Sequence, residues 1–328
     1  AGFGAASLRA AAPCPRRPGA PPDLGYRRAH RAGRAAAGRL GDWLRLLARY
    51  AEAWRALKRH LAEPRGAMGT DVWRLGLFAW REWRPLALHY LERDAASPGA
   101  RRWRARFEDL HRRCMAVTLY RFSAEARARM FLDALRLEMR AEPVRAFTLE
   151  GGRRRPLDFS IKVRRFILDG LRNPIEDVQV RRSVLIWRES ELWVDRPAPP
   201  GYLRAATVEH VLPTKPALSA RWAQDFPDAA RRHALCHALG NMCLLDREVN
   251  AELSNRDYGE KLARLTAAGQ HERYRLTADL PSRPEWTEEV VAARTARMAE
   301  EIWAALGLPH PDADAPAAPA EAAAGGPG

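Results

Sequence analysis

The sequence predicts a mainly α protein with a small β-hairpin. Apolar residues recur every three or four positions through most of residues 41–196, which is typical of amphipathic helices. A proline-rich break follows at Pro197-Ala198-Pro199-Pro200-Gly201. Two short apolar runs beyond this break favour strands, and helical spacing then returns as far as residue 306.

Length and composition exclude several classes of protein. The chain has 328 residues, 47% of them hydrophobic and 11 of them Trp, so it is not wholly disordered. No apolar run approaches the roughly 18 residues of a membrane span, and no signal peptide is visible at the start. Four Cys in a chain of this length exclude a disulfide scaffold and favour a reducing compartment. We therefore expect a cytoplasmic protein with no membrane partner.

The chain is basic, and the excess charge is unevenly spread. Lys+Arg number 55 and Asp+Glu 40, which gives a net charge of +15. Nearly all the basic residues are Arg, a skew that GC-rich codons also produce. Residues 101–182 hold 21 Lys and Arg against 11 Asp and Glu. These basic residues either bind phosphate groups of a nucleic acid or are simply exposed to solvent, and the sequence leaves both interpretations open.

The two ends of the chain differ in composition from the rest. Residues 1–40 consist mostly of Ala, Gly, Pro and Arg without an apolar period, so we expect a disordered segment. Residues 309–328 have a similar composition and are expected to form a disordered tail. Between them, the break predicts a helical domain at 41–196 and a second domain at 197–308.

The helical domain is predicted to contain six helices. The second of them should stop or kink at Pro85, and Ser123 is a candidate N-cap of the fourth. A basic loop at Arg153, Arg154 and Arg155 separates the fourth and fifth. The predicted helices start near Asp42, Asp71, Trp103, Ser123, Ser160 and Glu176.

The second domain has the order strand, long loop, strand, helix. Residues 206–212 and 241–245 are the two β-compatible runs. Helical signals follow from Arg247 to Leu265, and a last helix is predicted from Thr287 to Leu306. This order defines a ββα unit.

Four polar residues of this unit suit phosphodiester hydrolysis. A neutral His210 can take a proton from water near pH 7. A carboxylate and an amide oxygen, from Glu209 and Asn250, are ligands that Mg²⁺ accepts. The second strand brings Asn241 beside them. Strand alternation places Glu209 and His210 on opposite faces, so a bulge or tight bend is needed if both are to reach one site.

The same residues resemble a known family of nucleases. Their order is similar to that of HNH, or His-Me-finger, nucleases, and more narrowly to the C-terminal domain of GmrSD-type type IV restriction enzymes. The resemblance covers residues 200–308 well and implies an HNH-like ββα-metal nuclease domain. The residues that carry it are Glu209-His210-Val211-Leu212-Pro213, Leu239-Gly240-Asn241, Leu244-Leu245, Asn250, Leu253-Ser254-Asn255, Lys261, Trp286-Thr287 and Arg294. Residues from about 70 to 195 loosely resemble the segment that precedes this domain in the family.

The resemblance implies a role for each site residue. His210 would be the general base, and Asn241 would share the catalytic site by bracing the hairpin and orienting His210. Glu209 and Asn250 would bind Mg²⁺ or Mn²⁺. Asn255 and Lys261 would lie near a phosphate or hold the helix. From charge alone, the basic loop of Arg153, Arg154 and Arg155 is a further candidate for contacts with DNA.

The chain departs from the family pattern in a few places. Thr214 stands where a Gln is expected, and Met242-Cys243 replaces a Leu-Thr pair. Family members also carry an N-terminal domain that uses nucleotides, and none fits before residue 40. Either the chain is a fragment, or this nucleotide-hydrolysing partner is a separate protein.

His233, Cys236, His237 and Cys243 are residue types that could hold a zinc ion. Structural zinc in HNH proteins is held by paired Cys-x-x-Cys motifs, and the sequence has no such pair. Buried thiols and surface histidines are the simpler interpretation. No zinc is therefore expected.

These observations predict a metal-dependent DNA endonuclease, with a role in restriction of foreign or modified DNA implied by the resemblance. One alternative is a catalytically weak DNA-binding or assembly module of a multi-component defence system. Another is an RNA-cleaving nuclease with the same site. Metal binding discriminates the nuclease from the binding module, because only the nuclease requires it.

Overall fold

The structure is a computed structural model of the chain. It describes residues 22–63, 66–96, 101–140, 159–193, 200–215 and 221–312. The chain divides into two compact units, Ala1–Ala51 and Glu52–Gly328. The described residues are mainly helical and include a two-stranded antiparallel sheet, so the prediction of a mainly α fold with a small hairpin is confirmed.

Helices precede the sheet in the chain. Several begin at a side-chain cap, as expected where the first backbone N–H groups lack helical partners. Ser123, Ser160 and Asp177 accept such bonds. These helices are α1 (Pro22–Ala62), α2 (Gly66–Leu75), α3 (Arg84–Ala96), α4 (Arg101–Tyr120), α5 (Ala124–Met139), α6 (Ile161–Arg172), α7 (Val178–Glu191) and α8 (Pro200–Ala205).

The sheet and the remaining helices follow. A 3₁₀ turn at Leu239–Asn241 leads into the second strand, and another lies at Leu280–Ser282. The elements are β1 (Ala206–His210), α9 (Trp222–Asp225), α10 (Ala229–Cys236), β2 (Met242–Asp246), α11 (Arg247–Leu253), α12 (Tyr258–Ala267), α13 (Gln270–Arg273) and α14 (Glu288–Leu306).

Two predicted helices have different bounds in the structure. The prediction that a helix runs from Asp71 to Pro85 is wrong, because α2 ends at Leu75 and Pro85 lies in the first turn of α3. Proline is tolerated there since first-turn N–H groups have no helical acceptor. The helix predicted from Arg247 to Leu265 is interrupted at Ser254, whose φ of 45° lies in the left-handed region.

The structure describes only parts of the two chain ends that are predicted to be disordered. Residues 1–21 lie outside the described residues, but residues 22–40 are helical rather than disordered. Ala and Arg are strong helix formers, and a helix can form from them without an apolar stripe. Residues 313–328 also lie outside the described part, whereas the Pro309 carbonyl accepts a hydrogen bond of 3.0 Å from Arg164.

The helices and the hairpin share one hydrophobic core. Trp187 of α7, Leu203 of α8, Leu244 of β2 and Ile302 of α14 are buried in the same cluster. The predicted domain boundary at 196/197 lies outside the described residues, and the core continues on both sides of it. A second, smaller cluster gathers around Trp222, beneath the segment that follows β1.

Gly240 allows α14 to approach the turn before β2. A Cβ at this position would lie 2.2 Å from the Val291 carbonyl oxygen and 2.5 Å from the Thr295 nitrogen, both backbone atoms. The Gly240 N–H also donates to Thr295 Oγ1 at 3.0 Å. The turn and the helix are therefore in direct backbone contact, which only glycine permits.

We expect Gly240→Ala to lower the free energy of unfolding by about 1–3 kcal/mol, because the added methyl group forces α14 away from the turn. Urea denaturation followed by circular dichroism measures this. Gly170→Ala is the matched control, since a Cβ there meets nothing within 4 Å and the residue lies inside α6. Equal stability of the two variants would contradict the close approach.

Arg294 joins the last helix to the hairpin by hydrogen bonds. The residue is buried, with 1% of its surface exposed. Its Nη1 atom donates to the carbonyls of Gly240 and Met242 at 2.6 and 2.8 Å, and Nη2 donates to Leu276 O at 2.6 Å. Its charge is balanced by Asp279, whose Oδ2 lies 3.1 Å from Nε.

Asp279 should make the fold sensitive to acid. Burial raises the pKa of its carboxyl, but Arg294, Arg283 and Arg297 outweigh burial and leave the pKa below its ordinary 3.8. A lowered folded-state pKa contributes stability above the ordinary value and loses it as pH falls through the folded-state value. Asp279→Asn should cost about 1–3 kcal/mol at pH 7 and flatten the loss of stability below about pH 4. Urea titrations between pH 7 and pH 3 measure both effects, and an unchanged pH slope would refute this role.

Candidate active site

The candidate site is built on the hairpin and the helix that follows it. β1 and β2 pair antiparallel, with Glu209 opposite Cys243 and His210 opposite Met242. α11 starts directly after β2 and contacts both strands. The chain therefore has the strand, strand, helix order that the sequence predicts.

His210 ends β1 as a neutral imidazole. Burial is the main cause that lowers the pKa of its ring to about 4, and the neighbouring Arg181, His237 and Lys261 add to the effect. Its Nε2 atom is buried and has no hydrogen-bond partner among the described residues. A neutral ring has one unprotonated nitrogen, so His210 can accept a proton near pH 7.

Glu209 points to the other face of β1, where it pairs with Lys261. The two side chains are buried, and Lys261 Nζ lies 2.5 Å from Glu209 Oε1. The same ammonium donates to the His210 carbonyl at 2.9 Å. Burial raises the pKa of Glu209, and the Lys261 charge opposes that rise. Lys261 thus neutralises Glu209 and ties α12 to the end of β1.

Asn250 extends from α11 to the same strand. Its amide nitrogen donates to Thr207 Oγ1 at 2.9 Å and to the Val208 carbonyl at 3.1 Å. Thr207 and Glu209 share a face of β1 because side chains alternate along a strand. Asn250 and Glu209 therefore lie on one side of the hairpin, opposite the His210 ring.

As arranged, Glu209 and Asn250 do not fit a divalent cation. They share a face, but the Glu209 carboxylate already binds a buried ammonium. A Mg²⁺ ion placed there would meet Lys261 at close range, and like charges in a poorly solvated site repel strongly. The resemblance implies that Glu209 binds a metal ion, but in the structure Glu209 binds the Lys261 ammonium instead.

Asn241 is fully buried and makes four side-chain hydrogen bonds. Its Oδ1 accepts from the Leu212 N–H at 2.8 Å and from the Trp286 indole at 3.0 Å. Its Nδ2 donates to the carbonyls of Leu212 and Cys236 at 2.9 and 3.1 Å. These bonds hold the segment after His210 against the turn that opens β2.

The remaining predicted residues do not join this group. Asn255 is exposed in the turn between α11 and α12. Arg153, Arg154 and Arg155 lie outside the described residues. In α4, Arg106 pairs with Glu138 and Arg113 with Asp109, so part of the basic charge of residues 101–182 is balanced within the protein.

Four further residues form a cluster beside His210, and the sequence does not indicate that they act together. The His237 ring lies 5.7 Å from the His210 ring, centroid to centroid, and 4.9 Å from the His233 ring. Arg181 of α7 bonds Nδ1 of His237, and Glu176 Oε2 lies 3.5 Å from its Nε2. The spacing of His233 and His237, four residues apart on a helix, is the only sequence signal that indicates this cluster.

Cys236 and Cys243 do not join these histidines in the structure. Cys236 Sγ donates to the Pro213 carbonyl at 3.3 Å, and Cys243 is buried in β2. Burial raises the pKa of the two thiols to about 11 and about 12 respectively. Both are protonated near pH 7, which is the form that does not bind metals.

Comparison with protein families identifies the region that contains this site. Residues 161–301 resemble the C-terminal domain of GmrSD restriction endonucleases. The match to this GmrSD family takes in α6 and α7, which the sequence predicts in the helical domain, and leaves α1–α5 outside. It indicates a nuclease role in restriction. Neither curated proteins nor solved structures gave a significant match.

Across the described ranges, no helix has both the length and the apolar content that crossing a bilayer requires.

The Glu209–Lys261 pair can be tested by a double-mutant cycle. Lys261→Met leaves a buried carboxylate without a partner and should destabilise the fold by about 3–5 kcal/mol. Adding Glu209→Gln should restore part of that loss, because no uncompensated charge remains. Urea unfolding gives the four free energies, and Lys162→Met, at an exposed position of α6, is the control. Additive effects of the two substitutions would mean that the pair is not formed.

Proposed function

We propose that the chain contains an HNH-type endonuclease that hydrolyses phosphodiester bonds of foreign or modified DNA. The proposal is supported by the GmrSD family match and by the order β1, β2 and α11. The observation that carries it is His210, a neutral imidazole at the end of β1 with a buried, unpartnered ring nitrogen. A general base for water must be unprotonated at the working pH, and His210 meets that condition.

The proposed reaction uses His210 to activate water. The ring takes one proton from water as the oxygen attacks phosphorus in line with the leaving 3′ oxygen. The bond between phosphorus and the 3′ oxygen breaks, and the leaving oxygen receives a proton from solvent. The products are a 5′-phosphate and a 3′-hydroxyl end. Asn241 supports the reaction by fixing the segment that follows His210.

We propose that the reaction requires Mg²⁺ or Mn²⁺. Such a cation neutralises the scissile phosphate and the leaving oxygen when it is bound. Glu209 can act as its ligand only if Lys261 releases the carboxylate, and Asn250 would then supply the amide oxygen. If Lys261 stays in place, the cation must be held elsewhere.

Substrate contacts and partners are also part of the proposal. DNA is the substrate that the family description favours. Arg153, Arg154, Arg155 and Asn255 are proposed to contact its phosphates, which would position DNA without selecting its sequence. A nucleotide-hydrolysing domain, on this chain or a separate one, is proposed as a partner. A catalytically weak binding module and an RNA-cleaving nuclease are the alternatives.

His210→Ala should lower cleavage of supercoiled plasmid DNA by at least about 100-fold, since general-base catalysis contributes at least that much. The assay uses plain, hydroxymethylated and glucosylated DNA with Mg²⁺, Mn²⁺ or EDTA. His310→Ala, at a half-buried histidine beyond α14, is the control and should retain activity.

Three results would revise the proposal. Cleavage that survives His210→Ala would place the active site elsewhere. DNA binding without cleavage by the parent chain would favour the binding module. Preferential cleavage of unpaired RNA would favour the ribonuclease.

A further inference from the structure

Three donor side chains converge beside His210. Among the described residues, Glu176, His233 and His237 each offer a ligand atom, and these atoms lie within 4.8 Å of one another. Glu176 and His233 are exposed and His237 is half-buried, so an ion could reach the group from solvent. Two imidazoles and one carboxylate are a donor set that binds divalent transition metals.

Two structural features hold these donors together. His233 and His237 are four residues apart at the end of α10, which places both rings on one face of the helix. Glu176 belongs to the segment before α7, and that segment is joined to α10 by a hydrogen bond of 2.8 Å from the Ile175 N–H to the His237 carbonyl. The backbone therefore holds the carboxylate and the histidines near one another, whichever rotamers their side chains adopt.

We propose that Glu176, His233 and His237 bind a divalent transition-metal ion next to His210. The catalytic role of this metal rests on the proposed nuclease function, whereas the metal site itself does not. It supplies a cation beside the general base while Lys261 remains paired with Glu209. Zn²⁺, Co²⁺, Ni²⁺ and Mn²⁺ suit imidazole nitrogen better than Mg²⁺, which prefers oxygen and keeps its waters.

The state of the His237 ring is compatible with a ligand role. Burial is the main cause that lowers its pKa, with Arg181 and His233 adding to the effect and Glu176 opposing it. A neutral ring is the form that binds metals. A bound divalent ion would also make the surroundings of His210 more positive, which favours the approach of a phosphate group.

Arg181 competes with the metal for the His237 ring. Its guanidinium can only donate, so Nδ1 accepts and the ring proton lies on Nε2, facing Glu176. A metal on Nε2 moves that proton to Nδ1, where Arg181 cannot accept it. Metal-bound histidines in proteins normally donate this proton to an acceptor. Metal binding through Nε2 therefore requires Arg181 to release Nδ1 of His237.

Direct metal titration tests the site. The full chain, freed of metal by chelation, is titrated with Co²⁺ and with Zn²⁺, and the Co²⁺ absorption spectrum reports the coordination geometry. We expect one ion per chain, no displacement by Mg²⁺, and loss of binding in the double variant His233→Ala, His237→Ala. Glu176→Gln should weaken binding by at least about tenfold, since changes even beyond the direct ligands cost that much.

Arg181→Gln tests which ring nitrogen of His237 binds the metal. Glutamine offers an oxygen that accepts the Nδ1 proton, so Co²⁺ affinity should rise by about tenfold, the scale reported for partners of metal-bound histidines. A loss of affinity would contradict coordination through Nε2. His310→Ala should bind Co²⁺ as the parent does, and circular dichroism confirms that each variant is folded.

The outcome is independent of DNA cleavage. The inference is overturned if the folded parent chain binds neither ion, or if the double histidine variant binds as tightly as the parent. Binding through these residues in a protein that does not cut DNA would sustain the metal site and refute the nuclease. Mg²⁺-dependent cleavage that persists in the double variant would sustain the nuclease and refute a catalytic role for this metal.

Discussion

The hydrogen bonds of the Asn241 side chain are the constraint on which the candidate site depends. One amide group satisfies both polar atoms of the Leu212 backbone, the Cys236 carbonyl and the Trp286 indole. A buried backbone group without a partner is costly, so this segment has no equally favourable alternative position. The segment begins directly after His210. The position of the proposed general base is thus set by an amide that does not itself touch the reacting atoms.

Lys261 and Arg294 reinforce this constraint. Each is a buried cation whose charge is matched by one carboxylate, Glu209 or Asp279, and each also binds backbone carbonyls of the hairpin region. Buried charges of this kind are stable only when paired and fully hydrogen-bonded. Lys261 lies on α12 and Arg294 on α14, so the short two-stranded sheet is held by helices that come later in the chain. A hairpin of five-residue strands would not be stable alone.

The groups around His210 keep its ring in the uncharged form. The ring is surrounded by Arg181, His237 and the Lys261 ammonium, all of which disfavour its charged form. Positive surroundings also suit an anionic substrate, because the groups that keep the ring neutral attract phosphate. Glu209, the acid next to His210 in sequence, faces away and is neutralised. Adjacent residues of one strand thereby serve different purposes: His210 faces the proposed reaction, and Glu209 supports the fold.

The sequence by itself determined the helical class of the fold, the strand, strand, helix order and the family resemblance, because periodicity and short motifs are local properties. It also indicated Asn241 as a bracing residue. Tertiary structure decided the rest, since it depends on which residues meet. Whether Glu209 is free or paired depends on Lys261, fifty-two residues later. Glu176, Arg181 and His237 gather beside His210 only because α7 packs near the end of α10. The helical conformation of residues 22–40 follows from backbone propensity, which a search for apolar stripes does not detect.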